Sequence, residues 1–477
     1  MSNVTRRELM KRASLLAAAG AASPFAMNLL SLNGAKAAEV GGYRALVCVF
    51  LFGGMDCHDV LIPYDQTNYN QHAQARQALF SQYAAAPGGS SRARDRLLPL
   101  AASNAAALGG REFALPEALA PVRDLFNAGA ASVVANVGPL IEPMNRDQYR
   151  NRTREAPARL FSHNDQQSTW MAAAPEGARY GWGGRIGDMA LASNANSRTA
   201  FTAISASGTA VFLTGETVFP FQVSSQGPVQ ISAVTNSTVY RSSIAPALIA
   251  EQIQDSANLR SNLFERDIAT TYRSAIANNR DLTAALAAQA PFATPYPANN
   301  GLASQLNVVA RIIAARSVLG VGRQIFFVST GGYDTHSNQA PALAGLHATL
   351  AGALRAFYDT TVELGVEDLV TTFTASDFGR TLTVNGDGTD HGWGAHHFVI
   401  GGALNGARIL GDPPPPATNH AQDTGGGRLI PVVSVEQYAG AMARWFGLTD
   451  GEIRDAMPGA GNFDLNALDM FAPGASA

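Results

Sequence analysis

The run Ala45-Leu46-Val47-Cys48-Val49-Phe50-Leu51-Phe52 is apolar at every position and stops at Gly53-Gly54. A strand with one wet face alternates apolar and polar residues. A strand with no polar side must be covered on both faces, which places it inside a sheet flanked by helices. Ala131-Ser132-Val133-Val134-Ala135-Asn136-Val137, Gln324-Ile325-Phe326-Phe327-Val328-Ser329 and Leu369-Val370-Thr371-Thr372-Phe373-Thr374 read the same way, and His397-Phe398-Val399-Ile400 is a short fifth strand. Leu115, Leu119, Val122, Leu125 and Phe126 recur at helical spacing, so the first two strands and this helix read as one right-handed crossover unit. Leu343, Leu346, Leu350, Leu354 and Phe357 give a second helix with one apolar face. The alternation predicts an α/β protein: a three-layer α/β/α sandwich around a mostly parallel sheet.

The middle of the chain breaks this rhythm. Residues 200–300 are rich in Ala, Ser, Thr, Asn and Gln, and Ala210-Val211-Phe212-Leu213 and Val229-Gln230-Ile231 look like short β pieces. This stretch is expected to be an insertion or cap, with Pro291, Pro295 and Pro297 marking a linker over 285–301. Residues 84–95 read as a surface loop, and Pro413 to Pro416 as a stop after the fifth strand. No internal repeat is found.

Composition narrows the function classes. With 46% hydrophobic residues among 477, the chain has material for a large core, and disorder is excluded. A net charge of −3 gives no positive field for nucleic acid. The only lysines are Lys11 and Lys36, which rules out a lysine nucleophile, a Schiff base and a P-loop further on. Both lie in the N-terminal segment. Thr5-Arg6-Arg7-Glu8-Leu9-Met10-Lys11, an Ala/Leu-rich stretch from Ala13 to Leu32 and Ala35-Lys36-Ala37 have the order of a secretory signal, and the paired arginines point to the twin-arginine route. The expected division is a signal peptide over 1–37 and one α/β domain over 38–477. Cleavage removes five basic residues and one acidic, moving the charge from −3 to −7. No other stretch is apolar enough to span a membrane, so the mature protein is expected in the periplasm or secreted, with the twin-arginine machinery as a partner. Cys48 and Cys57, nine residues apart along and just past a strand, are expected to be two separate thiols.

The chemistry lies just past the strands. The first leads to Gly53-Gly54-Met55-Asp56-Cys57-His58-Asp59, the third to Gly331-Gly332-Tyr333-Asp334-Thr335-His336, the fourth to Ser376-Asp377-Phe378-Gly379-Arg380. Open α/β sheets bind ligands outside the carboxyl ends of their strands. Asp56, Asp334 and Asp377 would meet there, joined by His336, Asp390, His391, His396 and His397. Such a set, without cysteine, suits a divalent ion such as zinc, manganese or magnesium. Two ions would clamp a phosphoryl-type group. In Leu160-Phe161-Ser162-His163-Asn164-Asp165, Ser162 has the position of a helix cap, where an oxyanion can also settle, so Ser162 is a candidate nucleophile and His163 a candidate base or ligand. Arg380 is the candidate for neutralising charge on the transferred group.

Taken together, Phe52-Gly53-Gly54-Met55-Asp56, Phe161-Ser162-His163, Gly181-Trp182-Gly183-Gly184-Arg185, Gly331-Gly332-Tyr333-Asp334-Thr335-His336, Ser376-Asp377-Phe378-Gly379-Arg380-Thr381 and Asp390-His391-Gly392-Trp393-Gly394 resemble the bacterial domain-of-unknown-function family 1501 of twin-arginine-exported proteins. That family resembles the alkaline phosphatase and sulfatase superfamily. The resemblance implies metal positions at Asp56, Asp334, His336, Asp377, His391 and His396 or His397. One departure stands out: where that superfamily has an Asp-His pair, this chain has Asp377-Phe378, so either His391 replaces the missing ligand or one metal site is lost. The C-x-P-x-R signature of sulfatases is absent. The expected activity is metal-dependent hydrolysis of phosphate or sulfate esters of a small molecule or polymer. The alternative is a non-catalytic cell-surface or assembly protein on the same fold.

Overall fold

A computed structural model describes residues 42–86, 91–229, 232–235, 238–239, 241–256 and 262–475. The expected signal peptide, residues 87–90 of the expected loop and Gln230-Ile231 lie outside the described residues.

The central sheet is built from β1 (Arg44–Leu51), β2 (Ala131–Gly138), β3 (Ala203–Ser205), β4 (Phe221–Ser224), β5 (Gly227–Pro228), β6 (Arg323–Thr330), β7 (Val370–Ser376), β8 (Ala395–Ile400), β9 (Ile409–Gly411) and β10 (Val433–Ser434). Its order is β9-β2-β8-β7-β1-β6-β3-β4-β5, with β10 also on β2. The pairings β1–β7, β1–β6, β6–β3, β3–β4, β2–β9 and β2–β10 are parallel. Only β8, set between β7 and β2, and the terminal β5 run antiparallel.

The helices that cover this sheet are α1 (Ala120–Asn127), α2 (His163–Ala172), α3 (Trp182–Ala192), α4 (Leu263–Ala287), α5 (Gly301–Ala314), α6 (Gln339–Glu363) and α7 (Val435–Phe446). The period of two in β1 sorts them into layers. Ala45, Val47, Val49 and Leu51 point into one core with Val122 and Phe126 of α1, Leu306 and Ile313 of α5, and Leu350 and Phe357 of α6. Leu46, Cys48 and Phe50 point into a second core with Trp170 of α2, Trp182 and Ile186 of α3, and Tyr438 and Trp445 of α7. Both faces of β1 are thus dry, as its unbroken apolar run requires. The fold is a three-layer α/β/α sandwich with a mostly parallel sheet.

Some local expectations are corrected. β1 and β2 are not neighbours; β7 and β8 stand between them, so the first crossover spans two strand positions. Leu115 belongs not to a helix but to a strand, Phe113–Leu115, of a small three-stranded sheet, because Pro116 delays the helix that Leu119 then caps. Ala210–Leu213 makes no strand: Val211–Leu213 is a single 3-10 turn with Phe212 and Leu213 buried. Within 200–300, Ala203–Ser205 lies inside the central sheet beside β6, and α4 packs its C-terminal end, Leu282 and Leu286, on the first core. Cys48 and Cys57 are separate, buried thiols.

Candidate metal centre

Two glycines seat the site at the carboxyl end of the sheet. Gly53 has φ +114° and lies against the backbone of Tyr333 and Asp334, so a Cβ there would run into the Asp334 nitrogen. The Tyr333 N–H donates to the Phe52 carbonyl at 3.2 Å. The loops leaving β1 and β6 are thereby laced together, and the second of them presents Asp334. A third loop leaves β7, where Gly379 makes the close approach: its N–H donates to the Trp393 carbonyl and Thr381 N–H to that of Asp390, pairing the 379–381 segment with 390–393. This brings His391 back over Phe378. His163 arrives from the other side as the first residue of α2.

His163, Asp334 and His391 place one ligand atom each within 4.8 Å of one another. The ring nitrogens have defined roles. His391 Nδ1 lies 2.8 Å from the Phe161 carbonyl oxygen, which can only accept, so Nδ1 carries the proton. His163 Nδ1 lies 2.6 Å from Asp377 Oδ2, and His336 Nδ1 lies 3.3 Å from Asp390 Oδ1, with the same consequence. On each ring Nε2, the nitrogen that these bonds leave free, turns inward. Those of His336 and His391 stand 3.1 and 3.2 Å from Asp334 Oδ1 and 2.8 Å from each other, and that of His163 stands 3.4 Å from Asp334 Oδ2. So close a set of ring nitrogens around a carboxylate calls for positive charge among them, from a metal ion or from a ring proton.

The surroundings fix these orientations. Burial drives the Asp334 carboxyl upward, but the Arg380 hydrogen bond at 2.7 Å and its charge outweigh this and hold Asp334 below the usual range. The hydrogen bond from Asp377 raises His163, whereas burial lowers His391. Phe378 packs under both rings, at 4.9 Å from His163 and 4.4 Å from His391. The ring that interrupts the expected Asp-His pair is the floor of the group, and His391 is packed on it. Phe161 adopts φ +71°, a conformation costly for a bulky residue, which aims its carbonyl at His391.

The other expected residues are placed differently. Asp56 is turned inward: its carboxylate takes Arg76 at 2.6 and 3.1 Å and Gln339 at 2.6 Å, with 1% of its surface exposed. Asp377 is fully buried, and its oxygens accept from Gly53 N–H, Gln167 Nε2 and His163 Nδ1, so it orients His163 from behind. Asp390 does the same for His336. His396 and His397, adjacent on β8, point to opposite faces of the sheet. His396 Nδ1 accepts the Asn136 N–H at 2.9 Å, and His397 packs against Trp170 and Tyr438; burial pushes both down to about 3. A strand alternates sides, so two successive histidines cannot both reach one site. Ser162 starts α2, yet its hydroxyl makes no cap and donates to Asp165 Oδ2 at 2.9 Å. Arg380 is buried, bonded to Asp334, Gly53 O and Thr389, with no face left for a substrate anion.

Sequence reasoning missed Gln167, one turn after His163 on α2, and Arg428. The only signals were helical spacing for the first and the preceding Gly425-Gly426-Gly427 turn for the second. Arg428, with Tyr149, Phe161, His336, Asp390 and His391, lines an open cleft of about 410 Å³ beside the group.

Among solved structures, the chain is similar to Ps i-CgsB in complex with k-i-k-neocarrahexaose at 8% identity, covering 86% of this chain and 74% of that one, with a TM-score of 0.36. Ps i-CgsB alone gives 8% identity, 89% and 78% coverage and a TM-score of 0.35. A variant of the alkaline phosphatase PafA gives 11% identity, 72% and 64% coverage and a TM-score of 0.27. None is near enough to carry a residue across. No curated protein matches the chain. Residues 43–455 match the model of a family described as protein of unknown function (DUF1501), and since that is most of the sequence, the chain belongs to this family.

Proposed function

We propose that the chain is a metal-dependent hydrolase of phosphate or sulfate esters, exported through the twin-arginine machinery to the periplasm, and that His163, Asp334 and His391 hold one divalent ion. The observation that carries this is the convergence of three imidazole Nε2 atoms on the Asp334 carboxylate. Three protein ligands with an open side are the pattern of a catalytic centre, and a set with two imidazoles favours zinc over magnesium or manganese. With Asp56 closed off by Arg76 and Asp377 saturated, no second ion is invoked.

A divalent ion here supplies Lewis-acid polarisation of an ester oxygen and lowers the pKa of a water. The residues do the rest. Asp377 keeps the proton of His163 on Nδ1, so that Nε2 stays a ligand. Arg380 keeps Asp334 ionised and in place. His336, fixed by Asp390, offers Nε2 to the cleft as the acceptor of the water's proton. Ser162, whose hydroxyl is held by Asp165, has no part in bond making.

The competing reading, a non-catalytic surface or assembly protein, is favoured by Phe264, Ile268 and Tyr272. They form an exposed stripe at four-residue spacing on α4, 82%, 56% and 48% accessible. One experiment separates the two. Mature protein purified without chelator should contain close to one equivalent of zinc by mass spectrometry and hydrolyse 4-nitrophenyl phosphate or sulfate. His391→Gln should lose both ion and turnover, whereas His336→Gln should keep the ion and lose most of the turnover. Less than about a tenth of an equivalent of any divalent ion would reject the hydrolase.

A further inference from the structure

Beside the group stands a positive side chain that the hydrolytic machinery does not use. Arg428 comes directly after Gly425-Gly426-Gly427, whose φ values of +141°, +68° and +73° make a turn that side chains rarely adopt. Asp423 braces this turn, accepting the N–H groups of Gly425 at 2.7 Å and Gly427 at 2.9 Å. Two of the guanidinium nitrogens are anchored: Nε donates to the His391 carbonyl at 2.9 Å and Nη1 to that of Gly425 at 3.1 Å. Nη2 has no partner among the described residues. Held at Nε and Nη1, the guanidinium is fixed in place with Nη2 left as a charged donor for an anion oxygen.

The rest of the cleft is aromatic. Phe161 lies 5.7 Å from the Arg428 guanidinium, and Tyr149 is packed at 5.7 Å on the buried Trp393. The Tyr149 hydroxyl has no hydrogen bond among the described residues. The charge balance adds a condition. Asp334, Asp377 and Asp390 against Arg380 and Arg428 leave one negative charge while the imidazoles are neutral. A divalent ion reverses it to one positive, which strengthens the hold of the cleft on an anion.

We propose that Arg428 anchors the anionic group of the substrate and that Tyr149 and Phe161 receive a ring attached to it, so that the site takes aryl or glycosyl esters in preference to alkyl ones. The metal dependence of this binding rests on the function proposed above; the role of Arg428 can be judged apart from it.

The test is calorimetric titration of the mature, zinc-loaded protein with phenylphosphonate and methylphosphonate, which cannot be hydrolysed. Phenylphosphonate should bind about tenfold tighter than methylphosphonate, the difference expected for removing a ring from water. Arg428→Gln should weaken both about tenfold or more while zinc affinity stays within threefold. Tyr149→Ala should reduce the preference for the phenyl compound and leave methylphosphonate binding unchanged. Equal phenylphosphonate affinity in wild type and Arg428→Gln overturns the proposal. So does a parallel loss of zinc in Arg428→Gln, which would mean that Arg428 acts only by supporting His391. If wild type takes up no zinc, the hydrolase reading falls. The same comparison in zinc-free protein then decides Arg428 alone: a tenfold difference sustains the anchor, and no binding to either protein overturns it.

Discussion

Asp377→Asn changes one atom in a side chain with no exposed surface, and its hydrogen bonds set the outcome. The carboxylate accepts on both oxygens: Gly53 N–H on Oδ1 at 3.2 Å, and His163 Nδ1 at 2.6 Å with Gln167 Nε2 at 2.9 Å on Oδ2. An amide has one acceptor end. With its oxygen toward Gly53, its NH2 meets two donors, and His163 must move its proton to Nε2, the atom that faces Asp334. With its oxygen toward His163, the NH2 meets the Gly53 N–H, and a neutral amide in place of the carboxylate leaves His163 a less basic ligand, so metal binding weakens in either orientation. Relocating the histidine proton removes a ligand. Loss of such an outer partner typically costs 10- to 100-fold in metal affinity, about 1.4–2.8 kcal/mol. An orphaned buried donor adds about 1–3 kcal/mol of lost stability, with or without the ion. Competition against a chromophoric chelator gives the zinc constant, and thermal unfolding with and without chelator gives the second quantity. Gln167→Leu is the control: it spares His163 and should change zinc affinity less than about threefold. A zinc constant for Asp377→Asn within twofold of wild type would refute the orientation argument and, with it, the placement of the ion on His163 Nε2.

Two further outcomes are expected. Burial pushes His58 and His347 down to about 4, His396 and His397 to about 3, and His72 well below its ordinary value, so all five are neutral when folded. The unfolded chain protonates them below about 6.5, so their contribution is intact above that pH and is lost as pH falls toward the folded values; at about 1.4 kcal/mol per group and pH unit, pH 5.5 removes about 7 kcal/mol. A urea midpoint as high at pH 5.5 as at 7.5 would contradict this. Changing Arg6 and Arg7 together to lysine should leave precursor in the cytoplasm, and normal periplasmic accumulation on fractionation would end the twin-arginine proposal.

The layers were legible because burial on both faces leaves a trace: β1 and the centre of β6 lack a polar side, β7 carries no charged residue, and α6 repeats leucine along one face. Neighbour relations were not legible. Nothing in Ala131–Val137 says that its partners come from beyond residue 394, because pairing is settled by the whole sheet rather than by the strand. The site shows the same limit. Loop residues at strand ends were found as candidates, and His163, Asp334, His336 and His391 do converge. Asp56 looked equivalent to Asp334, and the difference between them is Arg76, the junction residue between two helices, Gln66–Ala75 and Gln77–Ala85, whose packing no local pattern announces. His396 and His397 were both kept as candidates although strand geometry admits only one to either face. Arg428 escaped because a glycine-rich turn is ordinarily just a turn.

The sheet order has a consequence for how the chain is made. β1 pairs only with β6 and β7, and β2 only with β8, β9 and β10. When a ribosome has completed the first 300 residues, both strands are finished and neither has its neighbour; of the central sheet, only β3, β4 and β5 can yet pair among themselves. Two strongly apolar segments must therefore stay in solution, edges open, until the last third of the chain emerges. Contacts so distant in sequence form slowly, and the interval exposes the nascent chain to aggregation. Translation will outrun folding in this protein, and its yield in a cell will depend on what shields β1 and β2 while they wait.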